Sequence, residues 1–150
     1  MLLFQCYQKW VFNFSKLLEP FILSADVDAF RQILQTSGGV ISGAAALQFL
    51  DRMTFGNASE LDIYVLYQNL LLITEWFHCH GFNESVPYHT TIDVVSIYQE
   101  SSEIKDVTNF TVVDSIRVMQ LISMMRDLVF TVLDFHSSVL LCLFFPIGLR

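Results

Sequence analysis

The sequence predicts an α/β (α+β) fold, a small mixed sheet flanked by helices, and three local patterns carry that expectation. Between Ser24 and Gly38, the apolar residues Phe30, Ile33 and Leu34 recur at helical spacing. Directly after them, Gly39-Val40-Ile41-Ser42-Gly43 reads as a short apolar strand ending in a glycine, and Ala44 to Arg52 returns to strong helix formers. From Leu61 to Leu66, Leu61, Ile63 and Val65 alternate with Asp62 and Tyr64, with Glu60 continuing the polar series, the period of a strand with two unlike faces.

The first helix is expected to begin at Ser24 as N-cap, with Asp26 and Asp28 complementing the positive end of its dipole. Gly38 and Gly39 read as a helix stop and the entry to the strand. Met53 to Ser59, carrying Gly56 and Asn57, is a loop between the glycine-turn helix and the alternating strand. Asn69 to Cys79 is expected to be helical, with Leu72, Trp76 and Cys79 along its apolar stripe and Gly81 as its stop. Pro87 to Val113 mixes β-branched and acidic residues without a clear period. Ile116 to Ile122 alternates as a third strand, and Val129 to Phe145 reads as the closing helix or helices.

Composition narrows the classes of function. The chain has 150 residues, 53% of them hydrophobic and 15% charged, so residues 1–150 form a single folded domain with one core. So little charge leaves a surface expected to be poorly soluble or to bury part of itself against a protein partner. With a net charge of −7 and eight Lys and Arg residues scattered from Lys9 to Arg150, no basic stripe can follow a phosphate backbone. Non-specific nucleic-acid binding is therefore not expected. Cys6, Cys79 and Cys142 lie far apart without metal-ligand or redox spacing, and the start lacks the basic region of a signal peptide. Both point to an intracellular, cytoplasmic setting, in which the acceptor patterns at Asn57, Asn83 and Asn109 carry no glycan. Leu128 to Leu149 approaches the length of a bilayer span, but Asp134, His136, Ser137 and Ser138 interrupt it. A mid-bilayer Asp costs roughly 2.5–3.5 kcal/mol on insertion scales, so a buried helix is expected there instead of a membrane span.

Chemistry concentrates around the glycine turn and the alternating strand. Glu60 and Asp62 leave one face of that strand two residues apart, a spacing at which a carboxylate pair can bridge a divalent cation. Upstream, Gly43 stands between a strand and a helix, where the missing Cβ lets backbone N–H groups approach a phosphate.

The run Gly38 to Arg52 together with Ser59-Glu60-Leu61-Asp62-Ile63-Tyr64-Val65 resembles a group of fungal proteins that carry a nucleotidyltransferase-like domain. The resemblance extends from about Phe30 through Ile116 to Ile122 and on to Val132-Leu133-Asp134-Phe135-His136-Ser137-Ser138. Its closing Phe-His-Ser motif is specific to that group. In the wider superfamily, which includes polymerase β and the aminoglycoside nucleotidyltransferases, an apolar residue precedes Gly and then Gly or Ser. Asp-x-Asp follows after a loop, and a third carboxylate on a neighbouring strand completes a two-metal site.

The resemblance therefore implies nucleotide binding at Gly43 and Ala44, and catalytic and metal-binding roles for Glu60 and Asp62, with Mg²⁺ or Mn²⁺ as the metal. Three positions depart from the family pattern. Ala44 lacks the hydroxyl a Ser would donate to a phosphate oxygen. Glu60 stands at the first aspartate, its longer side chain displacing the oxygens where octahedral geometry is demanding. Gln120 falls at the third carboxylate, and a neutral amide neither charges a second metal site nor accepts a proton. Asp93 is the alternative third carboxylate. The expected protein binds a nucleoside triphosphate and one divalent metal and is weak or inactive as a transferase, a pseudoenzyme. The alternative is a non-catalytic interaction module that self-associates or binds a protein through its apolar C-terminal helix. The related proteins continue past the point where this chain ends at Pro146 to Arg150, which implies a truncated or divergent member.

Competing readings of single motifs are structural. Glu60 and Asp62 would look the same on the solvated face of an edge strand. His78 and His80 lie two apart and leave different sides of a helix, forming a helix-end polar cluster and no chelate. His136, Ser137 and Ser138 are adjacent on the last helix and read as a polar notch, and the aromatic residues Phe30, Phe49, Trp76 and Phe77 read as core.

Overall fold

The computed structural model of the chain describes residues 14–46, 60–85, 104–112 and 117–126. The expectations for the loop at 53–59, for Asp93, for the C-terminal helix with its polar notch and for the apolar stretch from Leu128 lie outside the described residues, as does the helix after the glycine turn beyond residue 46. Among the described residues no helix is long and apolar enough to cross a membrane.

The order of elements is α1 (Phe14–Leu18), α2 (Val27–Ser37), β1 (Val40–Ser42), a helical turn at 43–46, β2 (Glu60–Leu66), a 3-10 turn (Tyr67–Asn69), α3 (Leu70–Cys79), β3 (Phe82–Ser85), β4 (Ile104–Val112) and β5 (Val118–Met124). The five strands form one sheet in the order β1-β2-β5-β4-β3. Only β2 and β5 run parallel, and the other three pairings are antiparallel. The fold is α+β with a mixed sheet, as the sequence predicts.

Helix α2 starts later than expected. Asp26, not Ser24, precedes its first residue, because the Asp26 N–H first closes a turn onto the Leu23 carbonyl and the Asp26 carbonyl then accepts the first helical bond from Phe30. At its other end Gly38 adopts φ 66°, and the N–H groups of Gly38 and Gly39 donate to the carbonyls of Gln35 and Leu34. This left-handed cap satisfies two terminal carbonyls at a cost only glycine avoids, and it aims the chain into β1 within two residues.

Helix α3 has the expected extent, but its phase differs. Ile73 and Phe77 are its buried residues, Trp76 is half-buried, and Leu72 and Cys79 are exposed. Leu70, Leu71, Leu72 and Ile73 form an unbroken apolar turn, so periodicity cannot say which of them faces inward. The sheet decides it. Phe77 stacks on Phe110 of β4 with ring centroids 4.6 Å apart and meets Phe82 of β3 edge-on at 5.2 Å, while Phe30 of α2 approaches at 6.1 Å.

Those contacts belong to one core between the helices and one face of the sheet. Leu18, Phe30, Leu34, Ile73 and Phe77 enter it from the helical side, and Ile41, Leu61, Ile63, Val65, Met119 and Leu121 from the strands. The opposite face has a smaller buried cluster of Val40, Tyr64, Ile122 and Met124, with Leu66, Ile104 and Val107 packed against it.

Two strands were not anticipated. Strand β3 contains Phe82 and three polar residues, with Phe82 alone buried, and an edge strand with one apolar residue shows no alternation to read. Strand β4 lies inside the segment without a clear period, and its register with β5 shifts between Ile104 and Asp106. Such a bulge interrupts the two-residue period that would have marked it.

Candidate functional site

Strand β2 is paired on both sides, by β1 and by β5, so Glu60 and Asp62 do not lie on an edge strand. Leu61, Ile63 and Val65 are fully buried against the helices, which turns the even-numbered residues to the other face. Glu60 there is exposed and Asp62 half-buried, their Cα positions about 6.6 Å apart along the strand at the usual rise.

The register lines up a row of polar residues across all five strands. Ser42 of β1 pairs with Asp62, Asp62 with Gln120 of β5, Gln120 with Asn109 of β4, and Asn109 with Ser85 of β3. Paired residues share a face, so all five side chains belong to the surface that carries Glu60. The next row along the strands is Val40, Tyr64, Ile122 and Val107, part of the smaller apolar cluster. One face of the sheet is thus divided into an apolar end and a polar end, and Asp62 stands at the boundary.

Gly43, one residue beyond β1, has φ 77°, and a Cβ built on it would collide with the Asp62 carboxylate. The glycine is needed twice over, for its backbone angle and for the room it leaves Asp62. Gly43→Ala is expected to destabilise the chain by about 2 kcal/mol, since a left-handed non-glycine residue costs about 1–2 kcal/mol before the collision is counted. Gly81→Ala is the control, with a similar φ of 80° and nothing near its Cβ. Equal losses in denaturant unfolding of the two variants would mean that Asp62 does not lean on Gly43.

Burial of Asp62, with the negative charge of Glu60 adding to it, pushes its carboxyl up to about 6. A carboxylate held there exchanges its proton near neutral pH and gains from any cation that approaches. Across β5, Gln120 Nε2 donates to Asn109 Oδ1 at 3.2 Å, and Ser85 Oγ donates to the Asn109 carbonyl at 3.5 Å. Ala44 is exposed in the first turn after Gly43.

The sequence-predicted residues Gly43, Glu60, Asp62 and Gln120 therefore come together at one end of the sheet. Asn109, Ser85 and Ser42 complete the row and had no signal in the sequence, because strand register cannot be read from composition. Asn109 was visible only as a glycosylation pattern.

His78 in the last turn of α3 and His80 just beyond it are engaged separately. His78 Nε2 lies 3.3 Å from Glu84 Oε1, whereas the His80 ring stacks on Trp76 at 3.9 Å and its Nδ1 donates to the Trp76 carbonyl at 2.8 Å. Among the described residues no group of three or more His, Cys, Asp or Glu side chains converges as a metal site. Glu60 and Asp62 are a pair.

No family model, curated protein or solved structure matches the chain.

Proposed function

We propose that the chain is a nucleotidyltransferase-like protein that binds a nucleoside triphosphate with one divalent cation, Mg²⁺ or Mn²⁺, and transfers weakly or not at all. The observation that carries this reading is the placing of Asp62 between the Gly43 turn on one neighbouring strand and Gln120, in register, on the other. The resemblance calls for a third metal ligand on a strand adjacent to the Asp-x-Asp strand, and the parallel neighbour β5 carries residue 120 at that level.

The residues present fit one cation. Glu60 and Asp62 crowd like charge at the end of β2, with Asp62 pushed up towards neutral, and a divalent ion between them would relieve both the repulsion and the burial. When bound, such an ion supplies charge neutralisation and orientation for a triphosphate. Gly43 lets the Asp62 carboxylate pack against the turn, which sets a cation held by Asp62 next to the N–H groups at 43–46, the donors a phosphate would meet. Gln120 cannot take the proton of an attacking hydroxyl, so the base a transferase needs is lacking at that position.

Calorimetric titration of ATP into the chain in the presence of Mg²⁺ is expected to give heat for the native sequence and none for Asp62→Asn. A folded native chain that shows no heat with Mg²⁺ or Mn²⁺ would sink the nucleotide reading.

One observation favours a second reading, a non-catalytic interaction module that keeps the fold. The hydrogen bond from Gln120 to Asn109 makes residue 120 part of a neutral cross-strand amide pair, a structural tie between β5 and β4. That reading places assembly on the apolar stretch from Leu128, which the sequence predicts to be helical, and predicts that Asp62→Asn leaves partner binding unchanged. An intracellular, cytoplasmic setting accompanies both.

A further inference from the structure

We propose that the smaller buried cluster of the sheet is an intramolecular docking surface, covered by the apolar stretch at residues 128–145 of the same chain. Val40, Tyr64, Ile122 and Met124 retain only 1, 5, 0 and 0% of their surface, with Leu66, Ile104 and Val107 packed at their margin. Side chains on a sheet face with nothing over it stay in contact with water. Yet no described element lies over this face: the buried apolar residues of α1, α2 and α3, and Ala45 and Ala46 after the glycine turn, all belong to the first core. The cover therefore comes from residues outside the described ones. It is confined to one end, because on the same face Gln120 and Asn109 are half-buried and Glu60 is exposed.

Position, composition and length assign the cover to residues 128–145. Strand β5 ends at Met124, inside the apolar end of the face, so the chain enters this stretch beside the cluster it would cover. Between residues 128 and 149 the only Asp, Glu, Lys or Arg is Asp134, which makes the stretch costly to leave in water and well matched to an apolar surface. The row from Val40 to Val107 crosses β1, β2, β5 and β4, about 14 Å at the usual strand spacing, and the stretch spans that even at the about 1.5 Å per residue of a helix. Other segments fit less well. Residues 1–13 and 47–59 adjoin α1 and the turn at 43–46, which face the first core. Residues 86–103 carry Asp93, Glu100 and Glu103 and leave β3 at Ser85, in the polar row. Docked in this way, residues 128–145 wall the apolar side of Asp62, leave the polar end open, and are no longer the free surface that the interaction-module reading requires.

The test is photo-crosslinking of the whole chain, expressed with photo-methionine in a Met119→Leu, Met125→Leu background, so that position 124 is the one photoreactive site after residue 53. Leucine is close to methionine in volume, and such exchanges are tolerated well. Equal amounts of unlabelled and ¹⁵N-labelled chain are mixed before irradiation, and the links from position 124 are mapped by mass spectrometry. Links to residues 132–145 within one chain are expected, alongside links to the strand neighbours Leu66 and Ile104 that show the group has reacted. Links to those neighbours alone overturn the proposal, as do links to residues 1–13, 47–59 or 86–103 in place of 132–145. Links to 132–145 that join a light chain to a heavy one overturn it in favour of a second copy. Circular dichroism checks that the labelled chain is folded; if it is not, photo-leucine at position 66 alone, on the margin of the cluster, is read in the same way.

Discussion

Phe77→Ala is expected to lower the unfolding free energy by about 3–5 kcal/mol, the range for emptying a fully buried aromatic site. Phe77 has no exposed surface and is the point at which α3 meets the sheet: its ring touches Phe110, Phe82 and Phe30, from three different elements. Neither neighbouring strand can close the resulting cavity easily, because Phe110 is itself fully buried and held by hydrogen bonds on both sides of β4. Most natural domains have only about 5–15 kcal/mol in total, so the variant should be near the limit of folding. Leu72→Ala, one turn away on the exposed side of the same helix, should change stability by less than about 0.5 kcal/mol. Urea unfolding of the two variants decides whether α3 is seated through Ile73 and Phe77 or through the Leu72 stripe that periodicity suggests.

Asp62→Asn is expected to stabilise the metal-free chain by about 2–3 kcal/mol at pH 7 and to leave it unchanged near pH 4. The sign follows from the raised carboxyl of Asp62. In the unfolded chain it titrates near 3.8 and in the fold at about 6, so between these values the fold retains a proton that the unfolded chain has released. Its contribution is therefore fully favourable at low pH and is lost as the pH rises through 4 to 6, leaving above that a buried charge beside Glu60. An asparagine has almost the same shape and no charge to desolvate. The difference in stability between the native chain and Asp62→Asn, measured by denaturant unfolding at steps from pH 4 to pH 8, should grow along that interval and then level off. A flat difference would show that Asp62 is solvated. Adding Mg²⁺ at pH 7 should narrow the difference, because only the native carboxylate gains from the cation. A narrowing of that kind would support the one-cation reading, and an unchanged difference would count against it.

How much of this was legible beforehand differs from residue to residue. The alternation from Glu60 to Leu66 marked a strand and separated its two faces correctly, because a side chain on a strand has only two directions to take. Gly38 and Gly43 were legible as turn residues, since the left-handed backbone they adopt is one that few other residues tolerate. In the candidate site, Gly43, Glu60 and Asp62 were legible from the glycine turn and the alternating strand, and Gln120 only through the resemblance. Asn109 was not, for it lies on a bulged strand whose partner is known only once β4 is laid against β5.

The sequence by itself determined the kind of element where its period is clear, the strands around Val40–Ser42 and Glu60–Leu66 and the helices before Gly38 and Gly81, and it determined those two helix stops. These are local preferences, set by dihedral angles and by the hydrophobicity of near neighbours. Tertiary structure alone decided which turn of α3 faces the sheet, that β2 is an interior strand, and that Ser42, Asp62, Gln120, Asn109 and Ser85 share one row. The physical reason is that hydrogen bonds between strands join residues far apart in the chain. Their register is settled by the packing of the whole sheet against its helices, and no short stretch of sequence contains that information.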